Sequence, residues 1–270
     1  MKLKNLNLMN FLGRIAKTAA KIEANELRAV LLSFSFVFTI LASYYILRSI
    51  RDGLASDWSD VELSTIWTFT FFISFLVVAL YGLACSKIKF RYLVPGVYAF
   101  FVLTFLSLYI LISAFPDFKL TNQIFYVWVS VFSLLNISVF WSFMADIFTN
   151  NQAKRLYGFI AAGGTIGALT GPALTVYLVQ YTGPTNLLPL SAFFLLGAIL
   201  CVKQLNRWQM LSNRSEEKIR NNEPESDKRM GGNPLAGIRL VATSPYLLGI
   251  CMLMLLYTTL STFMYLEQAE

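Results

Sequence analysis

The residues best able to do chemistry in this chain are Tyr44, Arg48 and Arg51, spaced i, i+4, i+7 within an otherwise apolar run. On a helix that spacing places all three on one face. Two guanidiniums on one face can hold an anion through paired N–H donors directed at phosphate or carboxylate oxygens. The same spacing also fits a structural reading, in which both arginines snorkel to lipid headgroups or pair with Asp52. Ser35, Thr39 and Ser43 form a second polar line on the same segment, and Asn136 stands in the middle of another apolar run. Such groups serve as hydrogen bonds between helices, and Asn136, which both donates and accepts, is also a candidate contact for a polar substrate.

The chemistry that is missing narrows the function. The chain has no histidine, which removes the commonest general base and metal ligand together. Cys85, Cys201 and Cys251 show no CxxC spacing, so neither a zinc site nor a disulfide framework is implied. No Walker A loop is present, and no pair of carboxylates lies within an apolar run. An enzyme, a metal and a resident cofactor are therefore not expected.

The elements that must position these residues are membrane spans. Hydrophobic residues make up 56% of the 270 positions and charged residues 14%, against about 25% charged in soluble domains. Apolar segments of about 20 residues, the length that crosses a bilayer core, recur along the chain. They lie near 29–50, 64–85, 92–115, 124–147, 156–180, 186–205 and 246–265. The expected fold is an all-α polytopic transmembrane helix bundle.

Before the first span, Leu8, Phe11, Leu12, Ile15, Ala19 and Ile22 make an apolar stripe with Arg14, Lys17 and Lys21 off it, so 1–28 reads as a basic amphipathic segment lying on lipid. A disordered basic tail is the alternative. Residues 206–245 begin polar and mixed in charge and read as a linker. They separate a six-span bundle, 29–205, from a seventh span at 246–270.

The net charge of +7 would suggest nucleic acid in a soluble protein; here it follows the positive-inside pattern instead. Lys87, Lys89 and Arg91 follow the second span and Lys154 and Arg155 the fourth, while Asp57, Asp60 and Glu62 fall in an opposite loop. That alternation places the N-terminus in the cytoplasm of a cell, or inner, membrane, with the last residues outside. It also opposes a seven-span receptor, which would start outside. Trp58, Trp67 and Trp128 fit an interfacial belt or packing better than a platform for a nucleobase.

The segment from Ala153 to Leu174, AKRLYGFIAAGGTIGALTGPAL, holds five glycines and a proline in a run otherwise suited to a helix. Each interior glycine costs about 1 kcal/mol relative to alanine in water. Gly163, Gly167 and Gly171, at i, i+4, i+8, form a face without side chains, which in lipid allows a neighbouring helix to approach closely. Pro172 removes the hydrogen bond to the Ala168 carbonyl and is expected to bend the helix. Bent, closely packed helices suit bundles that rock against each other, although a static bundle uses the same glycines. Asp146, Lys154 and Arg155 flank this segment as a topology anchor and a candidate ionic latch of an inward gate.

Several motifs resemble known transporters. GALTGP at 167–172 resembles the antiporter motif of the major facilitator superfamily. The stretch 140–171, with Phe140-Trp141, Ile147-x-Thr149, Ala153-Lys154-Arg155-x-Tyr157 and its spaced glycines, resembles the fourth-to-fifth span region of the ATP:ADP antiporter (nucleotide translocase) family. LRSIRDGL at 47–54 resembles that family's Leu-Arg-x-x-Lys-Asp-x-Leu.

The resemblance implies a secondary active transporter that moves an anionic solute, ATP, ADP or phosphate, by alternating access. It implies a facilitator-like N-terminal half followed by the start of a second half, and hence a truncated chain. Two departures weigh against nucleotide exchange itself. Arg51 stands where the family has a transport lysine, and Val129 where it has an acidic residue before the tryptophan. A non-nucleotide solute is the alternative.

Overall fold

In a computed structural model, residues 22–23, 26–115, 118–217 and 241–267 are described. Those residues form an all-α bundle: α1 Leu27–Ala55, α2 Asp60–Lys87, α3 Phe90–Ala114, α4 Lys119–Ile147, α5 Asn150–Thr182, a 3-10 turn Thr185–Leu187, α6 Leu188–Glu217 and α7 Pro245–Glu267. Six of the described helices are long and apolar enough to cross a membrane, which makes the fold a polytopic transmembrane bundle. A helix also stands where the seventh span is expected. Most of the stripe of 8–22 and the residues 218–240 lie outside the described residues. Its last member, Ile22, is buried in the bundle core.

Local sequence sets two helix starts and one helix end. Ser59-x-x-Glu62 closes a capping box at the head of α2, where the Ser59 N–H donates to Glu62 Oε2 at 3.2 Å. Thr149-x-x-Gln152 does the same for α5, at 3.0 Å. Gly183 ends α5 at φ +77°, a conformation that a side chain would resist, and Pro184 follows it. Pro172 does not break α5, which runs unbroken across it.

α1 is the hub, packed against α4, α5 and α6, while α3 packs on α6 and α4 and α2 leans mainly on α4. The centre is aromatic. Phe36 of α1 meets Tyr98 of α3 edge-on at 5.5 Å and Phe140 of α4 at 5.2 Å, and Phe101 meets Phe132 at 4.8 Å. Tilted and edge-on rings at these distances are the favourable arrangements for aromatic pairs. α2 and α7 present many exposed apolar side chains, such as Phe72, Phe75, Leu253 and Leu256, as lipid-facing helices do.

The α1–α5 contact is made by backbone. A Cβ placed on Gly163 would stand 2.6 Å from the Phe34 carbonyl oxygen, on Gly167 2.5 Å from that of Phe38, and on Gly171 2.8 Å from that of Ala42. Both helices thus advance by four residues per contact. The glycine face expected from spacing is a seam, and the carbonyl ridge of α1 fills it. Gly164, beside it, would meet the Leu41 side chain at 2.8 Å.

α6 runs twelve residues past 205, into the segment read as linker, because polar side chains anchor the extension. Asn206 Nδ2 donates to the Arg91 carbonyl at 3.1 Å, Gln209 Nε2 donates to the Asp146 carbonyl at 3.1 Å, and Trp208 lies against Phe148 with ring centres 6.5 Å apart.

Gly167→Ala places a methyl group against backbone that has no rotamer to yield. It should destabilise the bundle by about 1–3 kcal/mol, as overpacking does. Gly158→Ala, with nothing within 4 Å of the new Cβ, should be neutral or gain up to about 1 kcal/mol. Melting temperatures of both variants in detergent check this pair.

Candidate functional site: the arginine pair on the first span

Arg48, Arg51 and Asp52 stand in the last two turns of α1, where that helix crosses α4. Arg51 is held on three sides. Its Nε and Nη2 donate to Asp52 Oδ1 at 2.9 and 2.7 Å, and its Nη1 donates to Ser130 Oγ of α4 at 3.2 Å. Its guanidinium carbon also lies 5.1 Å from the ring centre of Tyr126, within range of a cation–π contact. Arg48 is looser: its Nε donates to Asp52 Oδ2 at 3.4 Å, and its guanidinium carbon lies 5.8 Å from the Tyr45 ring centre. The Arg51 side chain is 14% exposed, against 44% for Arg48 and 37% for Asp52. Arg51 is therefore the better covered of the two guanidiniums and Arg48 the more accessible.

The α4 side of the site is a small polar and aromatic wall. Trp67 Nε1 of α2 donates to the Tyr126 hydroxyl at 2.8 Å, and Trp58 packs 5.5 Å from the Tyr126 ring centre. Ser130, one turn along α4, donates to the Tyr126 carbonyl at 2.9 Å, which fixes the oxygen that Arg51 uses. Nearby, Lys119 of α4 pairs with Glu62 of α2 at 2.5 Å and closes the same end of the bundle. Tyr126 and Ser130 were not singled out by sequence. Their i, i+4 spacing on α4 becomes meaningful only when α1 lies across it.

The other expected site residues make no hydrogen bond to the arginine pair among the described contacts. Tyr44 is half-buried, with its ring 5.1 Å from Tyr45 and 6.5 Å from Phe132, and it packs rather than joining the arginines through a hydrogen bond. Asn136 is 2% exposed, donates through Nδ2 to the Ile40 carbonyl at 3.3 Å and accepts from the Tyr98 hydroxyl on its own carbonyl, also at 3.3 Å. Ile40 and Arg51 are eleven residues apart on α1, about 16 Å along the helix. Asn136 therefore joins α1, α3 and α4 in mid-bundle, away from the arginine pair. Its buried Oδ1 has no hydrogen-bond partner. Of the other polar line, Ser43 ties α1 to the Ser191 carbonyl of α6 at 3.0 Å, Thr39 donates back to the Phe36 carbonyl at 2.9 Å, and Ser35 is half-buried.

At the opposite end, Arg155 takes partners that spacing alone did not name. Its Nη2 donates to both carboxylate oxygens of Glu26, at 2.8 and 3.0 Å, and its Nη1 lies 3.5 Å from Glu23 Oε1. Glu26 is 3% exposed and also accepts from Gln152 Nε2 at 2.9 Å. Among the described ion pairs neither Asp146 nor Lys154 takes part. Lys154 is exposed. The clasp therefore joins the heads of α1 and α5, the two helices that the glycine seam already unites.

With the geometry established, the class of the molecule is an integral membrane protein built as an all-α bundle. Over 196 aligned residues it is 24% identical to the ADP,ATP carrier protein 3 of Rickettsia felis, and 25% identical to the ADP,ATP carrier protein 3 of Rickettsia bellii. Each alignment takes in 62% of this chain and 39% of the relative, so the chain spans well under half the length of the curated relatives it matches. No family model matches the chain, and no solved structure matches it.

Arg155→Gln leaves a buried Glu26 without its cation and should destabilise the bundle by about 3 kcal/mol. Adding Glu26→Gln to that variant should recover most of the loss. Thermal melting of the single and double variants measures both.

Proposed function

We propose that this chain forms the solute-holding bundle of a secondary active transporter of the facilitator type, moving an anionic solute by alternating access. The observation that carries the reading is the arginine pair. Arg51 is fixed by Asp52, Ser130 and Tyr126 at the crossing of two spans, and Arg48 stands more openly beside it. Arginines so placed, with N–H donors left over, suit the oxygens of a phosphate or carboxylate.

The named carriers of the two Rickettsia species favour ADP and ATP as the solute class. The substitution of Arg51 for lysine, and a fully buried Val129 where an acidic group is expected, favour a different anion, inorganic phosphate or an organic phosphate. In this reading the Glu26–Arg155 clasp marks the cytoplasmic end of the bundle, because it lies beside the basic loops. The arginine pair then belongs to the outer half.

Uptake into proteoliposomes loaded with ATP, ADP, phosphate or organic anions tests the activity. Arg51→Gln should insert normally and lose at least about 90% of anion uptake, since one lost charge-assisted contact carries roughly tenfold. Unchanged uptake by that variant rejects the role of Arg51. A reporter fused after Glu270 should lie outside the cell, and a cytoplasmic signal reverses the orientation.

A further inference from the structure

Asp52 is the unusual member of the arginine pair. A site meant to attract anions carries its own carboxylate, and that carboxylate sits where an anion would bind. Its Oδ1 accepts from two nitrogens of Arg51, at 2.9 and 2.7 Å, while its Oδ2 faces Arg48 Nε at 3.4 Å. One carboxylate therefore spans both guanidiniums, the geometry that a bound carboxylate ligand would take.

We propose that Asp52 sets the affinity threshold of this site, a tethered carboxylate that keeps weakly held, singly charged carboxylates off the two arginines and gives way to multiply charged oxyanions of the phosphate-monoester type. The inference rests on the anion-binding reading above and deepens it.

The argument is one of competition. Asp52 is bonded to Arg51 along the chain and lies one helical turn from Arg48, so its local concentration is of the order of millimolar or higher. A free monocarboxylate brings the same charge and the same two acceptor oxygens, and it also loses its translational freedom on binding. It gains nothing over the group already present.

A phosphate monoester brings nearly twice the charge and three strong acceptor oxygens. The site has donors to receive them. A guanidinium has five N–H groups. The contacts present leave two of these on Arg51 and four on Arg48 without an acceptor among the described residues. Arg48 and Asp52 are also the exposed members, so an incoming oxyanion can take Arg48 first and displace Asp52 toward solvent while Ser130 and Tyr126 keep Arg51 in place. A phosphodiester lipid headgroup carries a single charge and falls on the excluded side.

The test measures binding of sulfate, a dianion at neutral pH, and acetate, a monoanion. It uses the whole 270-residue chain, purified in phospholipid-free detergent micelles, and isothermal titration. The wild-type chain should prefer sulfate. Asp52→Asn should gain about tenfold or more for both anions, the factor carried by a charge-assisted hydrogen bond, because each must displace the same carboxylate, and acetate binding should become measurable.

Phosphatidylglycerol added to the micelles should leave sulfate binding by the wild type unchanged; competition by this lipid would assign the arginines to a headgroup and overturn the proposal. A folded Asp52→Asn that gains no affinity for either anion also overturns it. Should that variant fail to fold, Arg48→Gln compared with the charge-balanced Arg48→Gln/Asp52→Asn reads the same gain through Arg51 alone. If the wild type binds sulfate, Arg51→Gln removes that binding and both affinities stay unchanged without Asp52, only the role of Asp52 fails. If the wild type binds neither anion, the anion-binding reading fails with it.

Discussion

Close approach of two backbones is the constraint on which this bundle depends. In lipid, burial of apolar surface no longer drives one helix onto another, and cohesion must come from contact distance. The Gly163, Gly167 and Gly171 face of α5 meets the Phe34, Phe38 and Ala42 carbonyls of α1 so closely that no Cβ fits between them. Over such a length many weak contacts add up. The propensity that the glycines forfeit within α5 is offset by the partner they admit.

That seam determines what α1 can do elsewhere. With one side of α1 committed to α5 and another to α6 through Ser43 and Ser191, its remaining sides turn to the aromatic centre and to α4. The last turns of α1 then cross α4 at Tyr126 and Ser130, and Arg51 finds a ring and a hydroxyl at that crossing. At the other end of the same helix, the buried Glu26 meets Arg155 from the head of α5. A buried carboxylate with a two-point guanidinium contact fixes register more than it adds stability, because desolvation consumes much of the attraction. Seam and clasp act on the same helix pair and leave it a single sliding position. The polar groups at the arginine end are more exposed than Glu26 is at the clasp.

Much of this was legible in the residues alone. The rough placement of six spans followed from apolar length, and the glycine face followed from its four-residue period. Arg48 and Arg51 were identifiable as a pair because charged side chains within a span are costly enough to need a reason. The partner surfaces were not legible. Asn136 had the chemistry of either an inter-helix hydrogen bond or a substrate contact, and only packing shows which groups it meets between α1, α3 and α4. Asp146, Lys154 and Arg155 had the look of one cluster, yet Arg155 reaches Glu26, more than a hundred residues earlier in the chain.

The division has a physical cause. Crossing a bilayer imposes a length, a composition and a charge alternation on each segment separately, and these are local properties that one sequence displays. So is the absence of side chains along one helical face. Which helix fills that face, which ring lies under Arg51, and whether Asp52 faces water or two guanidiniums depend on rotations and crossings of whole helices. These are set by all contacts at once, and only the assembled bundle decides them.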